Sequence, residues 1–435
     1  MTRFVPPRRG VVSLAVVMLL GVLAGCNTEP IPVRPASGLG VNPVGGGLAF
    51  VSLSAGGGSA CGLIMGGAGY CWGAGSDQVD SYVPIPLSGG FSFIAISVAT
   101  WDTCGLTIGG TAMCWGASDL ASVDPSLCCI LGQLGLGPGA PSQPGVPVVE
   151  GQFVALTASD VHTCGLTQTG VAYCWGWNGD GELGNGSTVD SSLVPVAVSG
   201  GLVFTSLSAR GRHTCGLTPT GAAYCWGNNF DGALGVGTVT GPQVCGPAHD
   251  GVACSQTPVA VTGGLRFATI SAGSNHTCGV TPAGAAYCWG ANTSGQVGSG
   301  STMDSVVSPV AVSTSLQFAM VSAGFAHTCG VTTEDRAYCW GDNGGGQLGD
   351  SLTTVDSSRV PVAVSSAVPF STISAGVQHT CALSISGEAY CWGTMFGCPD
   401  VEGPRVSLGL WTADTSCAVA AARVAPSAIR GRASP

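Results

Sequence analysis

Short apolar runs rich in Val, Ile, Phe and Ala, broken by Gly, Ser, Thr or Pro, extend from Leu48 to Gly393, and no helical apolar period interrupts them. The pattern predicts many short strands joined by tight turns. One unit recurs. Its clearest copy is Gly273 to Gly290, GSNHTCGVTPAGAAYCWG, and its first cysteine falls at Cys61, Cys104, Cys164, Cys215, Cys278, Cys329 and Cys381. A second cysteine follows ten residues later, at Cys71, Cys114, Cys174, Cys225, Cys288, Cys339 and Cys391, always before Trp-Gly. Copies lie 43 to 63 residues apart, so a single repeat array replaces the two or three domains that 435 residues could otherwise hold.

Within a copy, as in His213-Thr-Cys-Gly-Leu-Thr-Pro-Thr-Gly-Ala-Ala-Tyr-Cys-Trp-Gly227, two strands flank a three-residue loop with Gly where a left-handed residue is needed. Folding about Thr220 sets Cys215 opposite Cys225, at the roughly 4.5 Å Cα separation of a narrow antiparallel pair, which a disulfide can bridge. Before each hairpin lies another strand ending in small residues, such as Phe204-Thr-Ser-Leu-Ser-Ala209, with its Phe eleven residues before the cysteine. After the middle hairpins come a Gly-rich loop, Asn178-Gly-Asp-Gly-Glu-Leu-Gly184 for example, and a Pro-Val strand such as Val194-Pro-Val-Ala-Val198. Four strands per unit predict an all-β, seven-bladed propeller of antiparallel blades, one hairpin disulfide in each. The Ser-Ala strand, having the smallest side chains, is expected innermost, and the seven tryptophans of Cys-Trp-Gly are expected between blades. Either Asn42-Pro-Val44 or Pro404-Arg-Val406 could complete the seventh blade.

Gly-x-x-His-Thr, the Leu-Thr-x-x-Gly hairpin, Tyr-x-Trp-Gly and Asn-x-x-Gly-x-Leu-Gly together resemble the repeat of the regulator of chromosome condensation family. The resemblance covers about Leu48 to Gly393, with the Gly-x-Leu-Gly part missing from the first and seventh copies. It implies a seven-bladed propeller. Family members can act as guanine-nucleotide exchange factors through one face and an inserted wedge, but no matching wedge is found here. A secreted bacterial propeller with similar repeats inhibits β-lactamases, though no residue-level match extends to that target.

The N-terminus and the cysteine count predict an exported chain. Arg3, Arg8 and Arg9 precede an uncharged run from Gly10 to Ala24, and Leu23-Ala24-Gly25-Cys26 resembles a bacterial lipobox, making residues 1–26 a signal and Cys26 the lipidated N-terminus. Asn27 favours the outer membrane by resemblance to lipoprotein sorting. Residues 27–47, rich in Pro and Gly, read as a tether, residues 48–400 as the propeller, and residues 401–435 as a closing segment and tail. Of 21 cysteines, 20 remain after Cys26, an even number that suits a disulfide framework in an exported protein. Cys245 and Cys254 join that framework, Cys398 is expected to bridge Cys417, and Cys128 and Cys129 are left unassigned. All 13 basic residues are arginine against 23 acidic ones, giving a net charge of −10 that excludes a nucleic-acid partner.

Five histidines, His162, His213, His276, His327 and His379, share one repeat position, with Ser59 and Asp102 in its place in the first two copies. Ligands seven-fold related around a channel do not converge on one ion, so these residues are read as caps of the turn between the first two strands, and no metal or cofactor is expected. Asn178, Asp180 and Glu182 faintly resemble a calcium loop but lack its downstream glutamate. No catalytic motif stands out. The residues just before the histidine position vary freely among copies, and strand order puts them on the same face as the Gly-rich loops. This face, with Trp101, Asp160, Arg210, Arg212, Asn275, Phe325 and Gln378, is the expected site for a protein or envelope polysaccharide, bound by a monomer without catalysis. An enzyme or enzyme inhibitor at the channel mouth is the alternative.

Overall fold

The computed structural model describes residues 43–44, 47–73, 81–116, 133–135, 148, 152–187, 189–245, 251–350 and 356–394. The expected lipidation at Cys26, Cys128, Cys129, Cys398, Cys417 and the tail fall outside them. Seven antiparallel sheets follow one another along the chain. Blade 5 is typical, with strands Thr269–Ala272, His276–Val280, Ala286–Ala291 and Ser305–Ala311 in spatial order. Blade 2 shows three strands among the described residues; blade 4 has a fifth, Gln243–Cys245, paired to Val252–Ala260.

The Ser-Ala strands are innermost, as their small side chains require. Each packs against the corresponding strand of both neighbours, so Phe50–Ala55, Phe93–Val98, Ala155–Ala158, Ser206–Arg210, Thr269–Ala272, Phe318–Ala323 and Phe370–Ala375 form a closed ring. The same hydrogen bond recurs at every junction: a Ser or Thr hydroxyl accepts from a backbone amide of the next blade. Ser54 accepts from Val98, Ser97 from Ala158, Thr157 from Ala209 and Ser208 from Ala272; Ser271 accepts from Ala323, Ser322 from Ala375 and Ser374 from Ala55, at 2.9–3.0 Å. The last of these joins the seventh blade to the first. The outer strand of blade 7 comes from the N-terminal side, where Pro43 lies opposite Tyr390 and Val44 opposite Ala389. Two residues of the expected tether therefore belong to the propeller.

The hairpin disulfides form as the register predicts, with Cα–Cα separations of 4.0–4.1 Å in all seven blades. Cys245 bridges Cys254 and staples the extra hairpin of blade 4. Between blades, the Phe of the inner strand and the Trp of Cys-Trp-Gly lie 5.6–6.1 Å apart in every copy. They cover the cysteine pair of the preceding blade, as Phe204 and Trp226 cover Cys164 and Cys174. Each Trp indole also reaches back where its partner is described: Trp226 donates to the Glu182 carbonyl and Trp340 to the Gln296 carbonyl, both at 2.9 Å. The Cys-Gly step of the repeat now has a cause. A Cβ on Gly216 would stand 2.5 Å from the Phe204 ring, so glycine makes the seat for the phenylalanine.

The histidines bridge blades rather than cap their own turns. Nε2 of His162, His213, His276 and His327 hydrogen-bonds the Thr214, Thr277, Thr328 and Thr380 hydroxyls of the next blade at 2.6–2.9 Å. Only His162 also meets its own turn, through Nδ1 and the Ser159 hydroxyl at 2.7 Å. His379 faces a blade with Ala60 at the threonine position; neither ring nitrogen makes a well-formed hydrogen bond among the described residues, though the Ser59 backbone lies close enough to favour its charged form. Burial holds these imidazoles neutral, pushing His162 and His276 down to about 3 and His213 and His379 to about 4, with His327 also well below the ordinary range.

Two outcomes follow from this ring. Ser374→Ala strands the buried-edge Ala55 amide and should cost about 1–3 kcal/mol, whereas Ser374→Thr, the residue blade 3 uses, should cost much less; urea denaturation reads the difference. For the histidines, folded and unfolded states are both neutral above about pH 6.5. Below it the unfolded chain takes up protons that the fold refuses, so stability should fall from about pH 6.5 toward pH 4. Thermal unfolding followed across that range should show the decline, and His276→Gln should make it shallower.

Candidate binding face

The turn between the first two strands of each blade is closed by its own backbone and then tied to its neighbours. In blade 2 the Ala99 amide donates to the Asp102 carbonyl, and in blade 6 the Gly324 amide donates to His327, both at 2.8 Å. Successive turns are linked by Ser274 N to Gly324 O, Phe325 N to Gly376 O, Val377 N to Gly56 O and Gly57 N to Ala99 O, at 3.1–3.2 Å. Side chains carry the rim onward. The Thr100 hydroxyl donates to Asp160 Oδ1 at 2.5 Å, and the Ser159 hydroxyl donates to the Gly211 carbonyl at 3.2 Å. The rim thus runs without a break from blade 5 through blades 6, 7, 1, 2 and 3 to blade 4.

The Trp-Gly glycines lock these turns from below. Gly116 has φ +118°, and a Cβ there would lie 2.5 Å from the Trp101 carbonyl oxygen. The residue after Trp-Gly donates its amide to the turn, as Asp342 does to Ala326 and Thr394 to Gln378. A face built this way holds its side chains on a rigid frame.

A cavity of about 550 Å³ opens on this face, lined by residues of blades 2, 3, 5, 6 and 7. Four of the expected residues, Trp101, Asp160, Phe325 and Gln378, line it, together with Ser294 and Asp342 from the Gly-rich loops. Trp101 is 56% exposed and Phe325 50%, and neither stacks on another ring among the described residues. These are large apolar groups on a rim that has no packing use for them. Ser294 and Asp342 escaped the sequence reading because only the turn before the histidine was compared among copies. The position after Trp-Gly varies as freely, reading Trp177, Asn228, Ala291 and Asp342.

The other three expected residues stand apart from the cavity lining. Arg212 pairs with the buried Asp180 carboxylate at 3.3 Å, which also accepts from Asn228 Nδ2 at 2.9 Å, so Arg212 serves the junction of blades 3 and 4. Asn275 is exposed on its turn, and its carbonyl accepts from the Ala291 amide. Arg210 is the exception among the inner-strand ends, where Gly56, Ala99, Ser159, Gly273, Gly324 and Gly376 are small. Its guanidinium crosses from blade 4 to donate to the Ala375 carbonyl of blade 7 at 2.5 Å. Burial lowers its pKa, the Asp160 charge opposing the shift.

Buried acids accompany the face. Asp102, in a histidine position, has no partner for either carboxylate oxygen among the described residues, and burial with the nearby Asp160 charge pushes its pKa well up. Glu182 occupies the place of Gln296 and Gln347, whose side-chain oxygens accept from Ser294 and Gly345 amides; its Oε2 accepts from Asp180 N at 2.8 Å. Burial and Asp180 push the Glu182 pKa well up, and its carboxyl takes the hydrogen-bonding place of the glutamine amide. In the calcium-like loop, Asn178 is spent on the Ser187, Val189 and Leu183 backbone.

A regulator of chromosome condensation (RCC1) repeat model matches residues 169–217, 220–280, 283–331 and 334–383, and a second model of the repeat matches 153–182, 204–233 and 267–296. The Arabidopsis thaliana ultraviolet-B receptor UVR8 is 31% identical over 271 residues, covering 60% of this chain and 58% of the receptor. The chain thus spans under two thirds of the length of the curated relatives it matches. Two solved structures share the fold. Human WBSCR16 aligns at a TM-score of 0.63 with 17% identity, over 78% of this chain and 87% of that one. Yeast RCC1 (Prp20) bound to Kap60 aligns at 0.63 with 18% identity, over 89% and 90%. With matches running through blades 3 to 7, and all seven blades built on the same hairpin, the chain belongs to the RCC1 repeat family.

Proposed function

We propose that this protein is a non-enzymatic binding module that holds a protein or an envelope glycan at the turn face, anchored to the bacterial cell envelope through lipid on Cys26. The observation that carries the reading is the cavity flanked by half-exposed Trp101 and Phe325 on a hydrogen-bonded rim. Rings fixed in place before binding lose little conformational freedom on contact, which is how an aromatic anchor gains affinity. A protein of the same fold, yeast RCC1 (Prp20), was crystallised bound to Kap60, so the fold can present a surface to a protein partner.

An enzyme at the mouth has less support. Asp102, the buried acid whose pKa is pushed well up, does not line the cavity, and Asp160 there accepts the Thr100 hydroxyl. Anchoring rests on the lipobox alone, and exchange activity on a GTPase is not carried over to a chain read as exported.

The test is a pull-down from detergent-solubilised envelope with the native chain, with Trp101→Ala/Phe325→Ala, and with Arg212→Ala as a control for a residue used in the scaffold. The native chain should retain a partner that the double variant loses while the control keeps it. Equal recovery by the native chain and a folded double variant would reject this face.

A further inference from the structure

We infer that the mouth receives a cation: an arginine or lysine side chain of a protein partner, seated between Trp101 and Phe325 and neutralised by Asp160. This rests on the binding-module reading and adds the chemistry of the occupant.

Three independent features converge on it. The cavity walls carry two carboxylates, Asp160 and Asp342, and no basic side chain. Arg210 donates to the Ala375 carbonyl and its charge is felt by Asp160, so the mouth sets two carboxylates against one guanidinium and keeps a net negative charge. The two aromatic rings are half exposed and both line this one cavity, one from blade 2 and one from blade 6, and an aromatic face attracts a positive group. The whole chain has a net charge of −10 and no lysine, which draws a basic partner in over the distance of a Debye length.

A sugar would also stack on Trp101, but it would leave the carboxylates facing neutral hydroxyls. An acidic segment would meet them as like charges. Asp160 is also already positioned: its Oδ1 accepts the Thr100 hydroxyl, which leaves Oδ2 without a hydrogen-bond partner among the described residues. A guanidinium or ammonium at Oδ2 would gain a charge-assisted hydrogen bond without rearranging the rim.

Titration by saturation-transfer NMR of the full chain tests this with three probes: the capped peptides Gly-Gly-Arg-Gly-Gly and Gly-Gly-Glu-Gly-Gly, and chitotriose. The arginine peptide should bind saturably and more tightly than the other two. Trp101→Ala, Phe325→Ala and the isosteric Asp160→Asn should each weaken it by about five- to tenfold, and raised salt should weaken it further. Equal or tighter binding of the glutamate peptide or the sugar would overturn the inference, as would arginine-peptide binding that none of the three variants changes. Adding the arginine peptide to the pull-down separates the two readings. A partner lost by the double variant yet not displaced by the peptide overturns the cation alone; a partner that the double variant retains overturns the face itself.

Discussion

A hydroxyl on one inner strand accepting the amide at the end of the next is the contact on which the rest of this propeller depends. It occurs at all seven junctions, and the seventh, Ser374 to Ala55, joins residues 319 positions apart. Large side chains at this radius would force the strands apart, so the ring selects Ser, Thr and Ala. Farther out, Phe and Trp widen each wedge, and the histidine-to-threonine bonds stitch its upper edge. That stitch is made at four junctions; Ser59 and Asp102 stand in the histidine position of blades 1 and 2, and between His379 and Ala60 the ring is held by Ser374 and by the N-terminal strand on blade 7.

The ring also fixes what the mouth can do. Turns emerging from a closed ring have little freedom left, and backbone bonds between successive turns remove more of it. Trp101 and Phe325 are thus held at one cavity by residues that do not touch a ligand. The same frame uses Arg212 and Asp180 to brace blades 3 and 4, and Arg210 to span blades 4 and 7. Charges that look alike in the sequence are therefore divided between holding the frame and lining the opening.

The fold was legible because the repeat states its constraints seven times. Paired cysteines ten residues apart gave the hairpin register, and the Phe-to-Cys spacing gave the inner strand. The histidines were misassigned for a physical reason: their partner is a threonine in the next copy, some 50 residues on, which no reading within one copy can find. Arg212 was exposed in sequence terms but met a buried carboxylate from another blade. Trp101, Asp160, Phe325 and Gln378 were singled out by variation among copies, which separates what the scaffold needs from what it tolerates, and all four line the cavity. Asp342 varies in the same way, and comparing the position after Trp-Gly would have revealed it.

The closed ring is tested most directly by hydrogen exchange at the amides of Ala55, Val98, Ala158, Ala209, Ala272, Ala323 and Ala375. Each donates to a hydroxyl of the neighbouring blade, so all seven should be protected and should exchange together, through global opening. Fast exchange at Ala55, with the other six still protected, would mean that blades 7 and 1 are not joined and would contradict the account.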